Sequence, residues 1–160
     1  MNRWVRLVVI FSITFVVYLG VFLSPYHLAF VSTQSVPFHF AVYSENVEKV
    51  ENGDYVIFNW TKDDPNKKIK KGQKLTKKIF CSEGDFLVSN ATRLTCNNMP
   101  SPIAQSHDSQ GNKVDAWEYE GEIPAKHLFV KGNARNSYDS RYYGFIYKKD
   151  VIGKVVFTFL

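Results

Sequence analysis

Between residues 7 and 31 the chain has no lysine, arginine, aspartate or glutamate. Soluble helices are seldom apolar on every face over about 17 residues, so this gap excludes an ordinary water-soluble protein. Cysteine is scarce, with Cys81 and Cys96 the only two, and the four histidines (His27, His39, His107, His127) stand singly. Neither set gives the paired spacings of a zinc site, and no metal or other cofactor is expected. None of the histidines lies in a recognisable setting for a Ser-His-Asp triad. Eight lysines fall between Lys62 and Lys78 without one interleaved aromatic residue. A nucleic-acid binder would need such rings to stack on bases, so the run predicts a solvated basic loop and no nucleic-acid partner. Near a bilayer the same lysines could lean on anionic headgroups. Internal repeats are also missing. A disordered chain is excluded by the 16% aromatic content beside only 22% charged residues.

What is present begins with Leu7 to Leu23, LVVIFSITFVVYLGVFL. As a helix rising about 1.5 Å per residue it covers most of a hydrocarbon core about 30 Å thick, and Trp4 and Val5 extend it. Bulky Val, Phe and Leu continue up to Ser24 and Pro25, without the small-x-small site of a cleaved signal peptide. The segment therefore reads as an uncleaved signal anchor. Arg3 and Arg6 precede it and no lysine or arginine follows until Lys49, which places residues 1–6 in the cytoplasm and exports residues 24–160.

The exported part carries short runs rich in Val, Ile, Phe and Tyr between turn residues: Tyr55 to Trp60, Leu75 to Phe80, Phe86 to Ser89, His127 to Lys131, Gly144 to Tyr147 and Val151 to Leu160. These predict a mainly β, antiparallel domain. The polar stretch from Asn97 to Gly121, with Pro100 and Pro102, reads as a loop or insertion. In an oxidising exported location a disulfide is the default fate of Cys81 and Cys96.

Peptide hydrolysis by a side-chain nucleophile needs a hydroxyl or thiol, a base neutral at working pH, and donors for the oxyanion. Four segments offer candidates: Ser32-Thr33-Gln34-Ser35-Val36-Pro37; Asn52-Gly53-Asp54 leading into Tyr55-Val56-Ile57-Phe58; Lys77-Lys78-Ile79-Phe80-Cys81-Ser82-Glu83-Gly84-Asp85; and Ser137-Tyr138-Asp139-Ser140-Arg141-Tyr142-Tyr143-Gly144. In this order, behind one N-terminal anchor, they resemble the four boxes of type I signal peptidases, the membrane-bound Ser/Lys proteases. The resemblance implies a signal-peptidase-like β domain with Ser35 as nucleophile, Lys77 as general base, and Thr33 with the Ser35 backbone N–H holding the oxyanion. It makes Ser137 the hydrogen-bond partner of the lysine and Asp139 and Arg141 a structural pair. Within the family, Thr33-Gln34-Ser35-Val36-Pro37 looks closer to the TraF-like peptidases of conjugative plasmids. The chain departs from that pattern in having His39 where glycine is usual, Lys78 where arginine is usual, and an approach to Ser137 one residue short.

Strand alternation puts Lys77 with Leu75 and Ile79, and Lys78 on the other side with Thr76 and Phe80. An ordinary lysine is neutral in about 0.04% of molecules at pH 7, and apolar neighbours would raise that share. Lys78 is the alternative base. The expected function is a bacterial inner-membrane serine endopeptidase with its catalytic domain in the periplasm. Its expected partners are membrane lipid and an exported precursor cleaved after small residues, a propilin of a conjugative transfer system. Two other readings remain open: a general type I signal peptidase, and a catalytically silent membrane-anchored assembly module.

Overall fold

The structure is a computed structural model that describes residues 2–22, 24–64, 66–108 and 111–159, with the side chain of Val21 left aside. Leu23, the expected end of the span, and Leu160, the expected end of the last strand, lie outside the described residues. Ser109 and Gln110 of the expected loop lie outside them too. The N-terminal helix α1 runs from Arg3 to Phe22, beginning four residues before the expected span. It is long and apolar enough to cross a membrane. The Thr14 hydroxyl inside it donates back to the Ile10 carbonyl at 2.9 Å, so the helix carries no unsatisfied hydroxyl there.

Eleven strands follow among the described residues: β1 Tyr26–Phe30, β2 Phe40–Ser44, β3 Tyr55–Asn59, β4 Lys74–Ser82, β5 Phe86–Ser89, β6 Leu94–Cys96, β7 Met99–Pro100, β8 Tyr119–Glu122, β9 His127–Lys131, β10 Ile146–Tyr147 and β11 Val151–Phe159. One short α-helix, α2, occupies Ser140–Tyr143, and a single 3-10 turn spans Lys148–Asp150. The strands form a seven-stranded sheet in the order β1-β2-β11-β3-β4-β9-β10 and a four-stranded sheet in the order β7-β6-β5-β8. All pairings are antiparallel, as hairpin and meander connections require. The mainly β, antiparallel class read from the alternating runs is the class observed.

The stretch from Asn97 to Gly121 is a partial correction, because β7 and the start of β8 fall inside it. Cys96 pairs with Met99 across a two-residue loop of Asn97 and Asn98, both at positive φ (48° and 66°). That is the backbone of a tight hairpin turn, which asparagine tolerates better than most residues. β8 alternates half-buried and exposed positions at a sheet edge, so its polar composition concealed it.

Among the described residues three clusters make up the core. Val56, Phe58, Trp60, Ile79, Leu128, Val130, Ile146 and Val151 pack on one face of the large sheet. Leu87, Leu94, Ile123 and Phe129 join the two sheets around the cysteines. Val31, Val36, Phe38 and Ala41 sit beneath the segment that carries Ser35. Cys81 and Cys96 are bonded, tying β4 to β6 across a separation of 15 residues with Cα atoms 5.8 Å apart. Closing a loop of that length stabilises a fold by about 3 kcal/mol in chain-entropy arithmetic.

Candidate active site

Strand β4 lies between β3 and β9, with Lys77 opposite Val56. The lysine shares its side of the strand with Leu75 and Ile79, and that side packs into the first core cluster. Lys77 is 4% exposed. Burial pushes its ammonium from the ordinary 10.5 down to about 8, with the positive charge of Arg141 assisting and the carboxylate of Asp139 opposing. Its hydrogen bond goes from Nζ to Ser137 Oγ at 2.8 Å.

Ser137 is held by the turn leading into α2. Asp139 is fully buried and Arg141 is 2% exposed. The guanidinium grips the carboxylate with two parallel bonds, Nε to Oδ1 and Nη2 to Oδ2, both 2.8 Å. The same carboxylate accepts from the backbone N–H of Gly132 at 2.8 Å and of Arg141 at 3.2 Å. The remaining guanidinium donors reach the carbonyls of Ser137 at 3.1 Å and Ile103 at 3.1 Å. A buried ion pair is stable only when its leftover donors and acceptors are also satisfied, which is the case here. Removing one member of such a pair strands the other and costs about 3–5 kcal/mol. The pair thus fixes β9, α2 and the Ser137 carbonyl against one another.

Ser35 stands in the loop between β1 and β2. The loop is closed at its base by Val31 N–H donating to the His39 carbonyl at 2.7 Å, and the His39 ring lies 3.2 Å from the Val31 carbonyl. Val36 and Phe38 anchor it in the third core cluster. The Ser35 carbonyl accepts from Asn133 N–H at 2.7 Å. A cavity of about 390 Å³ is lined by Ser35, Thr33, Lys77, Leu75, Tyr43 and Tyr138, among others. Ser35 is half-buried and Thr33 exposed at its rim. The fold therefore brings Ser35, Thr33 and Lys77 to one cavity and sets Ser137 behind the lysine, with Asp139 and Arg141 holding that serine in place.

Lys78 is turned the other way. It faces Tyr55 and Lys131 across neighbouring strands, and its Nζ lies 5.7 Å from the centre of the Tyr55 ring. Its place in the fold is away from the Ser35 cavity. Of the eight lysines in the run, Lys67, Lys68, Lys70 and Lys71 are exposed in the stretch before β4, as a solvated loop requires, and Lys74 is exposed at the start of the strand. Lys68 pairs with Asp108 at 2.5 Å, and Lys62 donates to the Phe145 carbonyl.

One contributor escaped the sequence reading. The buried Asp64 carboxylate accepts from the Ile69 N–H at 2.9 Å and from the Tyr138 hydroxyl, tying the lysine-rich loop to the residue after Ser137. An aspartate followed by Pro65 and Asn66 in the sequence is a turn-forming composition, but nothing local points to a tyrosine 74 residues away.

A family profile described as "Signal peptidase, peptidase S26" matches residues 1–160. No curated protein matches the sequence. Among solved structures, a signal peptidase I from Enterococcus faecalis V583 is 20% identical, with 69% of this chain and 98% of that chain covered and a TM-score of 0.44.

Proposed function

The chain belongs to the signal peptidase S26 family, and from that premise we propose that it is a membrane-anchored serine endopeptidase in which Ser35 and Lys77 form the catalytic dyad. Membership makes it a type I signal peptidase-like serine protease, whose substrates are peptides within signal-peptide-bearing precursors. The observation that carries the dyad is a lysine buried to 4% exposure, its pKa brought to about 8, lining the same cavity as Ser35.

In the proposed cycle Ser35 Oγ attacks the scissile carbonyl while Lys77 Nζ takes its proton. Donation to Ser137 orients the amine and leaves the lone pair of neutral Lys77 free for that transfer. The Ser35 N–H and the Thr33 hydroxyl hold the oxyanion. The lysine then returns the proton to the departing amine, and water or an incoming amine, deprotonated by the same lysine, resolves the acyl enzyme. Contacts of this kind tighten in the substrate complex, so the 2.8 Å bond of Lys77 to Ser137 is the resting arrangement.

The finer assignment is to exported precursors cut after small residues, with the propilin of a conjugative transfer system as the substrate, residues 7–23 as the anchor and residues 24–160 as a periplasmic catalytic domain at a bacterial inner membrane. Support for it lies in Thr33-Gln34-Ser35-Val36-Pro37, in Arg3 and Arg6 on the N-terminal side of the span, and in α1 itself. Membrane lipid is the second partner. Support for that is an exposed face of the large sheet on which Phe30, Phe40 and Phe159 stand in one cross-strand row and Leu28, Val42 and Phe157 in the next.

The test is co-expression of a small-x-small pilin precursor with wild type, Ser35→Ala and Lys77→Ala, with enzyme levels checked by blot. Wild type should process the precursor and both variants should leave it uncut at normal enzyme level. Processing by Lys77→Ala would remove the dyad. Rescue of cells depleted of their own signal peptidase would instead mark a general enzyme.

A further inference from the structure

On the face of β4 and β9 turned away from Lys77, two lysines meet. Lys78 and Lys131 are direct cross-strand partners, so their side chains leave the sheet on the same side. Like charges placed directly opposite are destabilising, and neither lysine has a carboxylate partner among the described residues. Lys131 is only half-exposed, donates to Ser101 Oγ at 2.6 Å and lies 5.5 Å from the centre of the Phe80 ring. Burial, then the charges of Arg141 and Lys78, lower its pKa against the opposing pull of Asp139.

A cavity of about 290 Å³ is lined by both lysines, and its other walls include Phe80, Met99 and Cys96. Among the described residues no aspartate or glutamate lines it. Asn52 and Asn97 do line it, but each gives its amide N–H to the Asp85 carboxylate at 2.7 Å, so the lysines are the charged donors left for an occupant. The wall formed by β6 and β7 is tied to β4 by the disulfide between Cys81 and Cys96, which gives the cavity a fixed width. It shares no lining residue with the Ser35 cavity.

We propose that this cavity is a second binding site, for a carboxylate borne on a short apolar arm, with Lys78 and Lys131 closing on the carboxylate and Phe80 and Met99 enclosing the arm. Two ammonium groups lining one partly apolar cavity can be satisfied together by one anion, through charge-assisted bonds about twice as strong as neutral ones. The volume lies just below the range of about 300–1,000 Å³ that holds drug-sized ligands, so the arm is short. A free short-chain acid and a glutamate side chain next to an apolar residue present the same chemistry. The site does not depend on the Ser35 and Lys77 assignment.

The experiment is calorimetric titration of the full chain in zwitterionic lipid nanodiscs with hexanoate, hexanol and hexylammonium. Hexanoate should saturate one site, with hexanol at least about tenfold weaker and hexylammonium not binding, since each factor of ten corresponds to about 1.4 kcal/mol of lost charge pairing. Lys78→Gln and Lys131→Gln should each weaken hexanoate about tenfold while leaving hexanol unchanged, which also reports that the cavity is intact. Equal binding of hexanoate and hexanol, or hexanoate binding unaltered in both variants, would overturn the site. Displacement of hexanoate by acetyl-Leu-Glu-amide but not by acetyl-Leu-Gln-amide would assign the carboxylate to a polypeptide, and saturable hexanoate with no displacement would assign it to a free acid.

Discussion

Lys77 has the largest consequence of any single residue. An ammonium whose pKa is about 8 in the folded protein is neutral in about a tenth of molecules at pH 7, against about 0.04% for an ordinary lysine. The proposed base is therefore available without further help, and its availability should rise through pH 8 and then level off. For cleavage of a peptide substrate, kcat/KM plotted against pH is expected to rise with an apparent pKa of about 8 to a plateau. A profile flat from pH 6 to 9 would exclude Lys77 as the base. The same shift has a stability side. The unfolded chain holds its proton up to about 10.5 and the folded one only to about 8, so burial of the ammonium costs stability in full below pH 8. That cost is of order 3 kcal/mol and fades as pH climbs from 8 towards 10.5. Lys77→Met should accordingly raise the denaturant midpoint relative to wild type at pH 7 while abolishing cleavage. A function-bearing residue that weakens the fold is easier to explain by chemistry than by packing.

At the scale of elements, the junction of β9 and α2 sets the geometry. Gly132 ends β9 where Ser35, Ser137 and Asp139 converge. A Cβ there would lie 2.0 Å from Ser137 Oγ and 2.9 Å from the Ser35 carbonyl oxygen, so no side chain fits unless both serines move. Gly132→Ala should leave the fold in place yet lower kcat by about a hundredfold, the size of effect a displacement of about 1 Å brings at a reacting centre. Wild-type kcat in that variant would show that the serines tolerate displacement. Gly144 has a similar office at the other end of α2, where φ is 75° and a Cβ would meet the Trp117 ring at 2.7 Å. Runs such as Tyr55-Val56-Ile57-Phe58 announced their strands because alternation, β-branched residues and a preceding Asn-Gly turn coincide there. β1 and β2 were silent, since His27, Ala29 and Ser44 blur the alternation and their partners lie far along the chain. Alternation sufficed to place Lys77 on the side of Leu75 and Ile79. The tie from Asp64 to Tyr138 could not be read, because a hydrogen bond spanning 74 residues leaves no local pattern.

For the whole molecule, the question is how the Ser35 cavity stands against a bilayer. Only Leu23, Ser24 and Pro25 separate α1 from β1, so the first strand begins beside the point where the helix ends. On one face of β1, β2 and β11 the six side chains of the Phe30 and Leu28 rows are apolar, with Leu28 79% and Phe30 67% exposed. Soluble surfaces rarely keep so continuous a patch, and burying each such side chain in a lipid interface is worth about 1.5–3 kcal/mol. Summed over six fully buried side chains this is about 9–18 kcal/mol, so even partial insertion of the two rows is expected to hold the sheet edge against a bilayer that α1 spans. Leu28 and Phe30 also line the Ser35 cavity, so a sheet edge resting on lipid would open that cavity at the depth where a precursor leaves the membrane. Nitroxides placed by Leu28→Cys and by Phe157→Cys in the full chain in nanodiscs should relax faster with oxygen than with a polar nickel chelate. One at Thr92→Cys, in the exposed turn between β5 and β6 of the smaller sheet, should show the reverse. If all three favour the chelate equally, the face is in water and the helix alone tethers the domain, which would leave the height of the cavity above the bilayer unset by the fold.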